Sequence, residues 1–223
     1  MVERLPHGYT NDTRRIGDVV EKRYEGRESL ARAEREFTCL TRLLGRFAVP
    51  EVVRFDASAP LLVLKEVLGR HGQELIDEGQ GPLVLGLIGN QLRELQSFPP
   101  SVIPGLKGTG GVIVHGDFGP QNVLCSPDLT SICAVVDWEF AHVGSPIEDL
   151  AWVEWIIRTH HPSAVEALPQ LFAGSGLHFG WSERQAAMVL QCRHYIAYCD
   201  ASEMDLAADQ WRRRIDATEH WSE

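Results

Sequence analysis

The stretch His115-Gly116-Asp117-Phe118-Gly119-Pro120-Gln121-Asn122 is the part of this chain that decides its fold. It follows a short apolar run, Val112-Ile113-Val114, whose composition is typical of a strand. Its own glycines and proline indicate a loop, because these residues favour turns over regular structure. The sequence therefore predicts a strand that delivers a carboxylate, Asp117, and an amide, Asn122, on the loop that follows it.

A hairpin is predicted immediately after this loop. The apolar runs 123–125 and 132–136 are separated by turn-forming residues. Asn122 precedes the hairpin and Asp137 follows it, so we expect their side chains to converge at its open end, near Asp117. Phosphoryl transfer needs a set of side chains of this kind. One group orients or deprotonates a hydroxyl, and others supply hard oxygen ligands for Mg²⁺.

The part of the chain before this loop is rich in strand patterns. Residues 15–24 are predicted to form a hairpin with Gly17-Asp18 at its turn, and two further strands are expected at 52–55 and 61–64. Between them, apolar residues recur at three- and four-residue intervals and predict a helix. The residues of this apolar stripe are Leu30, Ala33, Phe37, Leu40 and Leu44.

The character of the sequence changes near residues 66–72, where two glycines interrupt the strand pattern. Helical periodicity follows at 83–98 and again from residue 147 to the end of the chain. We therefore expect an N-terminal nucleotide-binding lobe over residues 1–66 and a C-terminal catalytic and acceptor-binding lobe over 67–223. A cleft between two lobes is a common place for a ligand site.

Composition and charge exclude several classes of protein. The 223 residues are 44% hydrophobic, which is enough for a substantial core, and the net charge of -10 gives no attraction to nucleic acid or anionic membranes. The five cysteines are odd in number and lack CxxC spacing, which predicts reduced thiols. Because no signal-like or membrane-spanning apolar run occurs, we expect a cytoplasmic protein that binds neither nucleic acid nor membrane. The sequence favours no particular oligomeric state.

Residues 115–124 resemble the catalytic loop of the aminoglycoside phosphotransferase family, a part of the protein-kinase-like superfamily. Val136-Asp137-Trp138-Glu139 resembles its metal-binding segment, and residues 144–151 resemble the stretch that follows, with Ser145 where the family commonly has Asp. The resemblance implies an α+β, bilobal protein-kinase-like fold. Its N-lobe is small and β-rich with one helix, and its C-lobe is larger and mainly helical.

The same resemblance implies a role for five residues of the C-terminal lobe. Asp117 is the expected catalytic base, and Asn122 and Asp137 are the expected Mg²⁺ ligands. His115 and Asp149 are expected to give structural support, His115 by bracing the loop and Asp149 by tying a helix to it.

The N-terminal part resembles the family through looser motifs. Residues 8–13 resemble the loop that covers the nucleotide phosphates, with Thr10 and Asn11 as binding residues. Lys22 resembles the lysine that holds the α- and β-phosphates, a task suited to a point charge. The hinge 66–68 is expected to meet the adenine or guanine edge with its backbone, at Glu66 and Leu68.

The expected partner of Lys22 is a glutamate on the helix that follows. Helical periodicity leaves both Glu34 and Glu36 open, because they flank opposite edges of the apolar stripe. The family spacing, with leucines four and seven residues further on, favours Glu36.

The resemblance implies a Mg²⁺-dependent small-molecule kinase that transfers the γ-phosphate of ATP or GTP to a hydroxyl of an aminoglycoside-like or other cationic acceptor. The family also contains kinases of choline, thiamine, homoserine and fructosamines, and a metabolic kinase of that type is the alternative. Acidic residues of the C-terminal helices are candidates for a cationic pocket. They are Glu154, Asp200, Glu203 and Asp205.

Two other classes of function compete with a kinase. One is a nucleotide-binding module that has lost transfer. The other is a hydrolase whose metal centre is formed by His115, Asp117, Asp137 and His142. Two tryptophans, Trp152 and Trp155, are interpreted as core and lobe packing rather than as a stacking platform.

Overall fold

A computed structural model describes residues 2–4, 11–202 and 204–223 of the chain. Within them, an antiparallel sheet with strand order β1-β2-β3-β5-β4 forms most of the N-terminal lobe. Its strands are β1 (Val2–Arg4), β2 (Asn11–Ile16), β3 (Val19–Tyr24), β4 (Val52–Asp56) and β5 (Leu61–Lys65). The predicted hairpin is present as β2–β3, with Ile16 opposite Val19 across the turn. Lys22 lies in the central strand β3, opposite Leu62 of β5.

Helix α1 (Ser29–Leu43) is the helix predicted for this lobe, but its buried face differs from the predicted apolar stripe. Leu30 and Leu44 are 39% and 48% exposed. The buried face instead includes Arg32 and Glu36, together with Leu43. Apolar periodicity misses such a face because two of its members are charged side chains that find partners elsewhere in the fold.

The C-terminal lobe contains most of the helices. After β6 (Arg70–His71), they are α2 (Gly72–Leu75), which continues through a π-helical turn (Ile76–Gln80), α3 (Gly81–Ser97), α4 (Ile147–His160), α5 (Leu168–Ser175), α6 (Trp181–Ala201) and α7 (Asp205–Glu219). Between α3 and α4 lie β7 (Val112–Val114), β8 (Val123–Cys125), β9 (Ile132–Val135) and β10 (His142–Gly144). The predicted α+β, bilobal protein-kinase-like fold is confirmed.

Short strands of the C-terminal lobe carry the segments that the sequence singled out. β8 and β9 form the predicted hairpin, with β6 as a third strand, and β7 pairs with β10. One hydrophobic cluster runs from α1 through the sheets to α3 and α5, and a second one lies between α4, α6 and α7. All five cysteines are free thiols. No helix in the described ranges has the length and apolar character needed to cross a membrane.

Helices α3 and α5 approach each other closely at Gly89. A Cβ built on Gly89 would lie 2.3 Å from the carbonyl oxygen of Leu171 and 2.8 Å from the backbone nitrogen of Ser175. Because both neighbours are backbone atoms, they cannot move aside as a flexible side chain does. Gly86, one turn earlier in α3, has none of the described atoms within 4 Å of its Cβ position.

We predict opposite effects for alanine at these two positions. Gly89→Ala should lower the free energy of unfolding by about 1–3 kcal/mol, because the added methyl overpacks the helix crossing. Gly86→Ala should leave it unchanged or raise it by up to about 1 kcal/mol, because alanine is the better helix former. Urea unfolding of both variants measures the difference, and equal effects would contradict this account of the crossing.

Candidate active site

The loop that carries Asp117 takes its shape from a glycine. Strand β7 ends at Val114, and Gly116 follows with a φ of 86°, in the left-handed region that favours glycine. A Cβ on Gly116 would lie 2.5 Å from the carbonyl oxygen of Phe140. A larger residue at position 116 is therefore excluded both by backbone conformation and by space.

His115 and Asp149 fix this loop from two sides. The Asp149 carboxylate at the start of α4 accepts hydrogen bonds from the backbone N–H groups of His115 (2.7 Å) and Gly116 (3.0 Å). The His115 ring accepts from the Asp117 N–H through Nδ1 (3.2 Å) and donates from Nε2 to the Val136 carbonyl (3.0 Å). Burial lowers the pKa of His115 to about 3, so the ring is neutral, as this pattern of bonds requires.

Asp117 lies at the end of this braced loop, in contact with Asn122. The Asn122 amide donates to the Asp117 backbone carbonyl (2.8 Å) and to Oδ2 of its side chain (3.0 Å). Loss of solvent around the carboxylate, followed by the negative charge of Asp137, raises the pKa of Asp117 to about 7. A carboxylate with such a pKa is suited to exchange a proton near neutral pH.

Lys22 contacts one carboxylate in each lobe. Its ammonium is 2.6 Å from Oε2 of Glu36 on α1 and 2.5 Å from Oδ1 of Asp137, which follows β9. Burial alone lowers the pKa of Lys22, but Asp137 and Glu36 outweigh it, so the pKa is raised well above its usual value. Of the two glutamates left open by periodicity, Glu36 is the one that contacts Lys22, and Glu34 is exposed. Tyr24 donates a further hydrogen bond to Glu36 (2.6 Å).

Asp137 has a left-handed backbone conformation, with φ 69° and ψ 57°. Residues other than glycine rarely adopt it, and such strain concentrates at functional sites. The conformation turns the chain sharply between β9 and the short 3-10 turn Trp138–Phe140.

A cavity of about 230 Å³ lies between the lobes, next to Lys22, Asn122 and Asp137. Apolar side chains of both lobes line one part of it and suit the faces of a flat ring. They are Val20, Leu64, Leu124 and Val136. The polar part is lined by Lys22, Glu36, Asn122 and Asp137.

The hinge segment reaches this cavity with two of its residues. Glu66 and Val67 line it, whereas the Leu68 side chain is 80% exposed and is not part of the lining. The Glu66 side chain also pairs with Arg15 (3.1 Å), and its backbone N–H donates to the Asp18 carbonyl. Any contact of Leu68 with a nucleotide base must therefore come from its backbone.

The donor set on the cavity wall fits Mg²⁺. Asn122 and Asp137 offer one amide oxygen and one carboxylate, both hard ligands, on the same wall. Mg²⁺ typically takes only one or two such protein ligands and completes its shell with phosphate oxygens and water. In keeping with this, the described residues contain no group of three or more His, Cys, Asp or Glu side chains that could hold a metal by themselves.

The expected phosphate-covering loop is only partly described. Thr10 lies outside the described residues. Asn11 begins strand β2, and its amide donates to both carboxylate oxygens of Glu139 (3.0 Å each) while its oxygen accepts from Arg32 (3.2 Å). The Asn11 side chain is therefore engaged by Glu139 and Arg32, and the role of Asn11 as a nucleotide-binding residue stays a prediction.

A second ion pair between the lobes was missed by the sequence reading. Arg32 of α1 lies 2.7 Å from Glu139, and the two side chains are 2% and 0% exposed. The neighbouring Arg35 donates to the backbone carbonyl of Glu139. Glu139 belongs to the segment that resembles the metal-binding motif. Its partners Arg32 and Arg35 lie on a face of α1 that an apolar pattern does not predict, because the face contains charged side chains.

We predict that Arg32→Met lowers the free energy of unfolding by about 3–5 kcal/mol, because it leaves the Glu139 carboxylate buried without its partner. Urea unfolding measures the loss. The control is Arg70→Met, which breaks an exposed pair with Glu78 and should change stability little. If Arg32→Met lowers the free energy of unfolding no more than the control does, the buried pair does not stabilise the contact between the lobes.

The alternative of a hydrolase metal centre does not fit the geometry. Both ring nitrogens of His115 are engaged by backbone groups, and His142 contacts the Phe140 carbonyl (3.0 Å) and Glu148 (2.8 Å). Across the described part of the chain, no set of His, Cys, Asp and Glu side chains converges as a metal site. The four residues of that alternative therefore do not form one centre.

A second cavity, of about 180 Å³, adjoins the catalytic loop at Gly116. Aromatic and neutral polar side chains of the C-terminal lobe make up the rest of its lining: Phe140, His142, Gln191, His194, Tyr195 and Tyr198. Burial, followed by the negative charge of Asp117, raises the pKa of Tyr195 well above its usual value, in keeping with a tyrosine close to that carboxylate. Because this cavity opens beside Asp117, it is the candidate acceptor site.

The described acidic residues that were expected around a cationic acceptor do not line the second cavity. Glu154 is fully buried and paired with Arg158 (2.9 Å) and Arg184 (2.8 Å), and Asp200 pairs with Arg212 (2.9 Å). Asp205 is exposed and does not line the second cavity, while Glu203 is outside the described residues. The expectation of an acidic pocket is corrected for the described residues: Glu154 and Asp200 are used in ion pairs, and none of Glu154, Asp200 and Asp205 lines the second cavity.

Comparison with known proteins supports the family resemblance and the fold. The model of the Phosphotransferase enzyme family matches residues 106–187, which contain the catalytic loop. The GDP complex of wild-type aminoglycoside 2'-phosphotransferase-IIIa superposes with a TM-score of 0.80 at 14% identity, over 98% of this chain and 92% of that chain. A choline/ethanolamine kinase family protein from Mesorhizobium loti gives 0.71 at 18% identity, over 99% and 88%. The resemblance recognised in the sequence is thus confirmed.

Similarity to curated proteins is confined to a short segment. Acyl-CoA dehydrogenase family member 11 of Pongo abelii is 41% identical over 39 residues, which are 18% of this chain and 5% of that protein. Acyl-CoA dehydrogenase family member 10 of Mus musculus is 40% identical over 40 residues, or 18% and 4%. The match therefore spans only a small part of the length of these relatives.

Proposed function

We infer that this chain is a phosphotransferase of the aminoglycoside phosphotransferase family. It transfers the γ-phosphate of ATP or GTP to an alcohol group of a small molecule. One observation carries the proposal. Lys22, Asn122 and Asp137 line one cavity together with apolar side chains of both lobes, and Asp117 contacts Asn122 beside it. This arrangement suits a nucleotide with its base between apolar side chains and its phosphates next to Lys22.

Each polar residue has a distinct task in this proposal. Lys22, oriented by Glu36, neutralises charge on the nucleotide phosphates as a point charge. Asn122 and Asp137 hold Mg²⁺, which when bound neutralises negative charge on the phosphates. Asp117 orients the acceptor hydroxyl and takes its proton. Catalysis then rests mainly on positioning and on electrostatic stabilisation.

The contact between Lys22 and Asp137 has a consequence for nucleotide binding. In the structure the Asp137 carboxylate is neutralised by Lys22 at 2.5 Å. A nucleotide with Mg²⁺ offers both residues a partner of opposite charge, so we propose that the two side chains exchange their mutual contact for contacts with phosphate and cation. Glu36 remains with Lys22 throughout.

We predict that Asp117→Asn lowers kcat for phosphoryl transfer by about 10²–10⁴-fold, because the amide cannot accept a proton. Nucleotide binding should persist in this variant, since Asp117 is not part of the nucleotide cavity lining. Asp137→Asn should weaken Mg²⁺-dependent nucleotide binding as well as transfer. The assay measures phosphate transfer from labelled ATP and GTP, and thermal shift measures binding.

Asp128→Asn is the control, because Asp128 lies in the exposed turn of the β8–β9 hairpin and bonds only to residues of that turn in the described contacts. It should transfer phosphate at the wild-type rate. Full activity of both active-site variants would overturn the proposed roles. Nucleotide binding by a wild type that never transfers phosphate would instead favour a silent nucleotide-binding module.

The second cavity favours a small acceptor over a polycationic aminoglycoside. A cavity of about 150 Å³ is the size that holds a single benzene ring, and the one beside Asp117 measures about 180 Å³. Its lining contains no Asp or Glu among the described residues. Three aromatic rings can instead hold an apolar or singly charged group. These features support a metabolic kinase of a small hydroxylated compound, the alternative to an aminoglycoside kinase.

We predict that kcat/KM for a small hydroxylated metabolite such as choline or homoserine exceeds that for kanamycin by about tenfold or more, because only the former fits the cavity. Tyr198→Ala should lower kcat/KM for that acceptor about tenfold, the effect of roughly 1.4 kcal/mol of lost ring contact. The nucleotide KM should stay unchanged. Leu190→Ala, at an exposed position of the same helix, is the control, and a preference for kanamycin would refute the small acceptor.

A further inference from the structure

The Asp117 carboxylate accepts hydrogen bonds at both of its oxygens, and one of the donors comes from outside its own loop. Oδ1 accepts a hydrogen bond of 2.8 Å from the indole nitrogen Nε1 of Trp152 on α4. Oδ2 accepts one of 3.0 Å from Asn122 of the same loop. A carboxylate bonded at both oxygens keeps one side-chain orientation, and bonds to a charged acceptor are stronger than neutral ones.

Trp152 belongs to a stack of aromatic rings from the C-terminal helices. It lies parallel to Trp155 of α4, with ring centres 4.6 Å apart, and it also stacks on Tyr195 of α6 at 5.1 Å. Tyr195 in turn stacks on Trp211 of α7 at 4.7 Å. Because large rings have few rotamers and pack against one another here, the stack holds the Trp152 donor rigidly.

The two tryptophans of α4 use their N–H groups differently. Trp155 donates to the Thr218 hydroxyl at 2.9 Å, a contact that ties α4 to α7. Trp152 donates at nearly the same distance to Asp117. The same kind of side chain in the same stack is therefore structural at position 155 and directed at the catalytic carboxylate at position 152.

Helix α6 makes one more contact with the catalytic loop. The Gln191 amide, one turn before Tyr195, donates to the backbone carbonyl of Gly116 at 2.8 Å. The loop is thus fixed by α6 on its backbone and by α4 on its reacting side chain.

We propose that Trp152, supported by Tyr195, is a positioning residue that fixes the orientation of the Asp117 carboxylate toward the acceptor cavity. The inference rests on the proposed function of Asp117 as the base. It assigns to the C-terminal helices a task in catalysis beyond packing. Tyr195 lines the acceptor cavity and stacks on Trp152, so the same stack sets the position of the base relative to the acceptor.

The test compares Trp152→Phe with Trp155→Phe. Each variant removes one indole N–H bond from the same stack, so both should lower the unfolding midpoint to a similar extent. Only Trp152→Phe should lower kcat, by about 10–10²-fold, because a small misplacement of a reacting group costs that much in rate. The nucleotide KM should stay the same in both variants, since neither ring lines the nucleotide cavity.

Tyr195→Phe provides a second test that removes a hydroxyl and keeps the ring. It should fold like the wild type and lower kcat in the same direction as Trp152→Phe. The inference is overturned if Trp152→Phe keeps the wild-type kcat, or if kcat falls in Trp155→Phe as far as in Trp152→Phe, which would indicate a general loss of packing.

A structural readout separates this inference from the proposed function. Crystal structures of the two tryptophan variants should show the Asp117 side chain displaced in Trp152→Phe and unchanged in Trp155→Phe. If the wild type transfers no phosphate but this difference is seen, the proposed function fails and the positioning of Asp117 stands. An Asp117 side chain that stays in place in Trp152→Phe overturns the positioning role, whatever the activity.

Discussion

The buried contact of Lys22 with Glu36 and Asp137 is the interaction on which the rest of the structure depends. It joins a strand and a helix of the N-terminal lobe to the segment after the β8–β9 hairpin. Charges taken out of water are costly unless each has a partner in good geometry, so the loss of any member leaves an uncompensated charge. The lobes are therefore held together by the same groups that we propose bind the nucleotide phosphates and Mg²⁺.

A second layer of contacts keeps this segment in place. Two residues after Asp137, Glu139 is buried against Arg32, with Asn11 and the main-chain contact of Arg35 around it. Helix α1 thus supplies Glu36 to the lysine and two arginines to the segment that carries Asp137. A movement of α1 would disturb both ion pairs at once, which makes the position of this helix a condition for an ordered site.

The opposite side of the loop is organised by neutral groups. His115 stays uncharged in the core and Asp149 accepts two backbone N–H bonds, so the loop has a fixed path before Asp117 is reached. The aromatic stack of α4, α6 and α7 then contacts the Asp117 side chain through the indole N–H of Trp152. Ionic contacts therefore fix the nucleotide side of the site, and aromatic packing fixes its acceptor side.

Local sequence determined the strands, the main helices and the catalytic loop, because their signals lie within a few neighbouring residues: apolar periodicity, turn formers and the spacing from His115 to Asp137. It also pointed to Glu36 through family spacing, where periodicity left two choices. Only the tertiary structure decided that Arg32 and Glu139 pair, that Asn11 serves that pair, and that Trp152 donates to Asp117. Each of these contacts joins residues far apart in the chain. In the sequence, a residue with a buried charge or an indole N–H cannot be told from an ordinary helix residue, because its partner comes within hydrogen-bond distance only on folding.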